Sequence, residues 1–170
     1  AQDPRNASIR PDLEKESEGL ASAQRTFQSA LSHLTRNAGM TVRVKGILGP
    51  FREIRDGRIY IETPGRPIFE PVAELSYKEV ARLAEQAYAA LPDKERRLAV
   101  GLFLLYDQRF REAEKELKAA EQFGADVAFY LRRLDLASAN RWEEARRDAK
   151  ARFALDRLRE SRRRLQWQDV

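Results

Sequence analysis

The sequence predicts an α+β fold, mostly helical, with antiparallel helical hairpins, a small antiparallel β unit and an N-terminal amphipathic helix. Three observations carry that expectation. Apolar residues recur at helical spacing over 11–39, the period changes to alternation over 40–75, and helical spacing returns from Ser76 onward. A chain of 170 residues holds one ordinary domain with a core of its own. Its 35% charged and 42% hydrophobic residues suit helices with solvated outer faces.

Residues 1–10 are polar, contain Pro4 and show no period, so they read as a tail. Ser8 followed by Pro11, Asp12 and Glu14 marks a helix start, with proline in the first turn and acids at the positive end of the dipole. Leu13, Leu20, Phe27 and Leu34 then recur every seven residues, and Ala23, Ala30, Leu31 and Ala38 fill the same stripe. This predicts a helix of about seven turns, docked by the stripe onto the rest of the chain. It should stop at Asn37-Ala38-Gly39, where glycine adopts the left-handed conformation. Gly19 weakens the early part by about 1 kcal/mol relative to alanine and marks a bend or a late start.

In "TVRVKGILG" Val42 and Val44 face one way while Thr41, Arg43 and Lys45 face the other, as on a half-buried strand. Asp56-Gly57 supplies the positive backbone angles of a tight hairpin turn. After Pro64-Gly65 a short run with two more prolines suits a sheet edge. The segment 40–75 is therefore a three- or four-stranded antiparallel unit, marginal alone and expected to pack on a helix.

Ser76 with Glu79 three residues later is a capping-box pattern opening the next helix. Pro92-Asp93 marks a break, and Gly124 ends a later helix. "DKERRLAVGLFLLYD", "RFREAEKELKAAEQF", "DVAFYLRRLDLASA" and the run from Arg141 to Leu165 complete a train of at least five helices. Their short links predict antiparallel neighbours over a helical domain at 76–165, with 166–170 as a tail.

"QRFREA" at Gln108 to Ala113 recurs thirty-two positions on as "NRWEEA" at Asn140 to Ala145. Gly101, Phe110, Ala113, Leu117, Ala120 and Ala125 give a pattern of small, large and aromatic positions that resembles a tetratricopeptide repeat (TPR), a helical hairpin of about thirty-four residues. Trp142 and Ala145 repeat Phe110 and Ala113, but Arg133 and Arg152 stand where Gly101 and Ala120 would recur. Ala84, Tyr88 and Leu91 copy the spacing of Ala113, Leu117 and Ala120. The TPR-like resemblance thus covers roughly Ser76 to Leu158, with one good unit and degenerate neighbours. It implies protein recognition on a concave face lined by the first helix of each unit. There the good unit presents Glu95, Leu98, Leu102, Leu105 and Tyr106, so Leu98, Leu102, Leu105 and Tyr106 are the candidate partner-binding residues. Family members that grip a terminal carboxylate use lysines and asparagines at that face, which leucines do not supply. Leucines either bind an apolar helix or are buried by the same chain, and the second outcome is preferred because the N-terminal helix and the sheet both need a surface to cover.

The residue types limit the chemistry. With no cysteine there is no thiol nucleophile and no thiolate metal site. His33, the single histidine, has no partner at metal-ligand spacing, and no phosphate-cradling glycine loop is present, so no cofactor is predicted. Glu112, Glu114 and Glu116 alternate with Arg111, Lys115 and Lys118 as on a solvated, ion-paired face. No apolar run reaches the length of a transmembrane helix. Lysine and arginine number 32 against 27 acids, a net charge of +5, with the excess concentrated toward the C-terminus. There Arg157, Arg159, Arg162, Arg163, Arg164 and Trp167 form a basic patch with an aromatic beside it. Asp148, Asp156 and Glu160 interleave with the arginines, as in a salt-bridged final helix. The small residue that opens the chain fits the remnant of a secretory cleavage, which leaves extracytoplasmic and cytoplasmic placement both open. The function predicted is a non-enzymatic protein-protein interaction or assembly subunit. The alternative is binding of nucleic acid or an anionic membrane by the arginine-rich C-terminal helix.

Overall fold

The computed structural model describes residues 4–141, 143 and 144, with side chains from residue 11 onward. It is α+β and mostly helical, and the chain divides into a unit ending at Leu131 and a second beginning at Arg132. In the first unit α1 spans Pro4–Arg36 and is followed by β1 (Thr41–Val44), β2 (Ile47–Arg55), β3 (Arg58–Ile61) and β4 (Ile68–Pro71). A 3-10 turn at Val72–Glu74 leads to α2 (Tyr77–Ala87), α3 (Asp93–Tyr106) and α4 (Phe110–Gln122). Residues 128–141, 143 and 144 are helical, so among the described residues the chain does not break at Asn140-Arg141 as the sequence pattern suggested. In the second unit Arg133 and Leu136 are exposed.

α1 begins earlier than the tail reading allowed. Pro4 opens it, a residue type favoured in a first turn, and the helix continues through Pro11. Its inward face also differs from the heptad stripe. Gly19, Ala23, Thr26, Ala30 and Leu34 are buried, Phe27 and Leu31 are half-buried, and Leu13 and Leu20 are 62% and 53% exposed. The reason for Leu20 is the side of the helix that docks: it follows buried Gly19 by one residue, about 100° round the axis, and so points away from the tyrosines that cover that turn. Small residues at that contact let backbones approach closely. The Tyr106 hydroxyl donates to the Glu16 carbonyl at 3.0 Å, and the Tyr130 hydroxyl to the Lys15 carbonyl at 3.1 Å. Thr26, fully buried, donates to the Ser22 carbonyl at 2.9 Å and lies 3.3 Å from the Ala99 carbonyl, so its polar atom is satisfied. Residue 16 meets 106 and residue 26 meets 99, hence α1 and α3 run antiparallel.

The Gly19 contact gives a first prediction. A Cβ at Gly19 would stand 2.7 Å from the Tyr106 hydroxyl oxygen and 2.7 Å from the Tyr130 ring. On a solvated helix face Gly→Ala adds about 1 kcal/mol of stability. Here the tyrosines must move off their carbonyls, and overpacking of this kind costs about 1–3 kcal/mol. Gly19→Ala is therefore expected to lower the urea midpoint or leave it flat, whereas a gain of about 1 kcal/mol would show that the tyrosines yield freely.

The sheet is an antiparallel meander in the order β1-β2-β3-β4. Asp56 and Gly57 both have positive φ, at 52° and 70°, and form the β2–β3 turn that the dipeptide predicted. The β1–β2 turn at Lys45-Gly46 was not anticipated, since the sequence reads there as one strand. Lys45 takes φ 50°, and its ammonium is held by Glu70 at 2.8 Å and Glu74 at 3.7 Å. Those carboxylates belong to β4 and the 3-10 turn, so the first hairpin meets the end of the meander. An antiparallel bridge between Val44 and Leu75 joins the same two ends, and the sheet curls around Val42, Val44, Phe51, Ile59, Ile61 and Leu75, all buried. β2 pairs with β1 through its first half and with β3 through its second. Where it changes partner, Gly49 is buried and the Glu62 N–H donates to the Pro50 carbonyl at 2.9 Å.

Ser76 caps α2 as predicted, its Oγ accepting from the Glu79 N–H at 3.3 Å. The Glu79 carboxylate bonds instead to Arg82 and accepts from the Arg43 N–H at 3.4 Å, while Arg82 donates to the Thr41 carbonyl at 3.3 Å. Those bonds fasten β1 to α2. Gly124 ends α4 with φ 84°.

Candidate functional site

α3 sits between its neighbours in sequence. α3 and α4 are joined by Asp107 to Arg109 alone, so they form an antiparallel hairpin. Gly101 faces Leu117 so closely that an added Cβ would be 3.2 Å from the Leu117 backbone nitrogen. Ala113, Leu117 and Ala120 on α4 and Ala84 on α2 are fully buried. The Tyr77 hydroxyl donates to Glu112 at 2.9 Å and the Arg109 guanidinium lies 4.5 Å above the Tyr77 ring, which places the starts of α2 and α4 together. The bond to Glu112, then burial, raises the Tyr77 hydroxyl's pKa. The Glu112 carboxyl is lowered first by its own backbone N–H and then by Tyr77.

The predicted partner-binding leucines lie inward. Leu102 and Leu105 are 3% and 5% exposed, Leu98 is half-buried, and the hydroxyl of half-buried Tyr106 is engaged by α1. The apolar face of α3 is therefore packed within the chain, the outcome that the need to cover the N-terminal helix favoured. Arg157, Arg159, Arg162, Arg163, Arg164 and Trp167 lie outside the described residues, as do Trp142, Ala145 and Arg152.

The helices of the first unit leave grooves open between them, besides a pocket of about 550 Å³ on the sheet at Pro50, Tyr60 and the Pro64 to Pro67 loop. One, between α2 and α4 above α3, has pockets of about 270 and 360 Å³ that share Glu85, Val100 and Glu116. Its arginines are committed: Arg82 pairs with Glu79, Arg96 with Asp93, and Arg97 with Glu116 at 2.8 Å. Another lies between α1 and α3 and holds about 660 Å³. α1 contributes Ser22, Arg25, Gln28, Ser29, Ser32 and Arg36 to it, and Glu95 and Ala99 come from α3. No family model, curated protein or solved structure matches the chain.

In the α1–α3 groove Arg25, Arg36 and Glu95 are exposed, and none of them takes part in the ion pairs found among the described residues. The Arg36 Nε donates to the Ser32 carbonyl at 3.2 Å, which holds its stem along the helix. The Tyr88 hydroxyl donates to Ser29 Oγ at 3.1 Å and closes one side. This surface is rich in donors and carries two guanidinium charges against one carboxylate. The spacing of Ser22, Arg25, Ser29, Ser32 and Arg36, three and four residues in alternation, was readable as one helical face. Only the position of α3 makes that face the wall of a groove.

Outside the groove, Lys15, whose carbonyl accepts from Tyr130, bridges Asp126 at 3.2 Å, and the lysine holds the Asp126 carboxyl below its usual range. A lowered folded pKa contributes stability above about pH 4, lost as pH falls through the folded value. Asp126→Asn is therefore expected to lower the melting temperature slightly at pH 7 and not at all at pH 2, as thermal scans at the two pH values will show. An equal loss at both would mean that the residue acts through packing.

Proposed function

We propose that the chain is a non-enzymatic interaction or assembly subunit that binds a partner protein through the surface of a TPR-like helical hairpin. The observation that carries this reading is the α1–α3 groove, an open surface whose two arginines take part in none of the ion pairs found among the described residues. The hairpin packing supports the repeat: Gly101 is small where α3 meets Leu117, and Ala113 and Ala120 are fully buried. In a stack of like units the equivalent helices run in the same direction. α1 runs antiparallel to α3, so it acts as an amphipathic covering helix and not as another first helix of the array. Its small-residue stripe packs against α3 at Ala99 and Tyr106, and its serine and arginine stripe forms the recognition face beside it.

The test is mild cross-linking and affinity purification of the tagged chain from its native source, with the full chain compared against one ending at Leu158. The same protein is expected to accompany both chains at physiological ionic strength. Loss of all binding on truncation, together with steep salt dependence, would overturn this reading and move the site to the C-terminal arginines.

A further inference from the structure

We propose that the α1–α3 groove takes an extended acidic segment of the partner, with one carboxylate at Arg25 and a second at Arg36. The inference rests on the interaction reading above and adds the chemistry of the ligand. Eleven residues make just over three helical turns, so Arg25 and Arg36 stand on one face with their backbones about 16 Å apart along the axis. An extended peptide advances about 3.3 Å per residue, which matches acids five positions apart. Guanidinium and carboxylate pair through parallel hydrogen bonds, a geometry that Arg25 can supply and that Arg36 can supply with its two terminal nitrogens, its Nε being held by the Ser32 carbonyl. Between them Ser29, Ser32 and Gln28 offer donors and acceptors suited to peptide N–H and carbonyl groups. Glu95 faces the same groove from α3 and repels a third negative charge placed between the two ends. The site therefore selects two spaced carboxylates joined by uncharged residues, and it disfavours a nucleic-acid strand with a phosphate at every step.

The test is fluorescence anisotropy on the full chain with a labelled glycine/serine octapeptide carrying two glutamates five positions apart. Controls are the same peptide with two glutamines and a labelled oligothymidylate. The proposal expects saturable binding of the glutamate peptide, at least tenfold weaker in Arg25→Gln and in Arg36→Gln, and tighter in Glu95→Gln. All three residues are exposed, so these variants keep the fold, as circular dichroism will verify. Equal binding of the glutamine peptide, indifference to both arginine substitutions, or a preference for oligothymidylate would overturn it. The underlying reading is scored separately. If both arginine variants still capture the partner protein undiminished, only the acidic groove is lost; if the unaltered chain captures none, the interaction function itself fails.

Discussion

Gly49→Ala is expected to destabilise the protein by about 3 kcal/mol or more, a large effect for one methyl group. Gly49 lies in β2 where the strand leaves β1 and takes up β3, and it is buried there. A Cβ at that point would collide with the backbone carbonyl oxygen of Glu62 and approach its carbonyl carbon at 3.3 Å. The obstacle is main chain, which no rotamer change can clear. Relief requires β3 to separate from β2, breaking the Glu62 to Pro50 hydrogen bond and opening the curled sheet over Phe51 and Ile61. Urea unfolding followed by circular dichroism measures the loss. Amide exchange at Phe51 and Glu62 should accelerate more than at Leu102. A midpoint within about 0.5 kcal/mol of the parent would contradict the described approach of the two strands.

Gly101→Leu is the second large effect, and it falls on the helical half. The first added carbon would sit 3.0 Å from Leu117 Cγ and Cδ2, and three more carbons follow in a space that Leu117, Ala113 and Ala120 already fill. α3 and α4 must move apart, which overpacking data place at about 1–3 kcal/mol or more. Because α3 also carries α1, through the bonds at Ala99 and Tyr106, the displacement should loosen α1 and distort the groove. Urea unfolding together with exchange rates on α1 checks this. Unchanged stability would mean that the hairpin does not close on Gly101.

How far the fold was legible depended on the range of the interactions that decide each element. Local chemistry was readable: Asp56-Gly57 turns because its dipeptide supplies positive φ, Ser76 caps because its Oγ reaches the Glu79 N–H, and Gly124 stops α4. The Lys45-Gly46 turn was not, because the lysine's left-handed conformation is supported by Glu70 and Glu74, far away in sequence. α1 was read as a helix, yet its buried side was misjudged. Leu13 and Leu20 satisfy a heptad but lie exposed, and the side that docks is the one with Gly19, Ala23 and Ala30. Gly19 looked like a weak point because the tyrosines that need its bare backbone lie on distant elements. The site followed the same rule. Of the α3 leucines visible as a stripe, Leu102 and Leu105 are core and Leu98 is half-buried, whereas Arg25 and Arg36 became a candidate site only once α3 stood beside them.

The most direct measurement of the central claim is site-specific photocrosslinking in the native cell from the groove residue Gln28, compared with the exposed residue Lys115 on α4. The account predicts a discrete protein adduct from position 28 that is lost in the Arg25→Gln, Arg36→Gln double variant, and none from position 115. An adduct from position 115 alone, or no protein adduct from position 28 at any cross-linking dose, would contradict it.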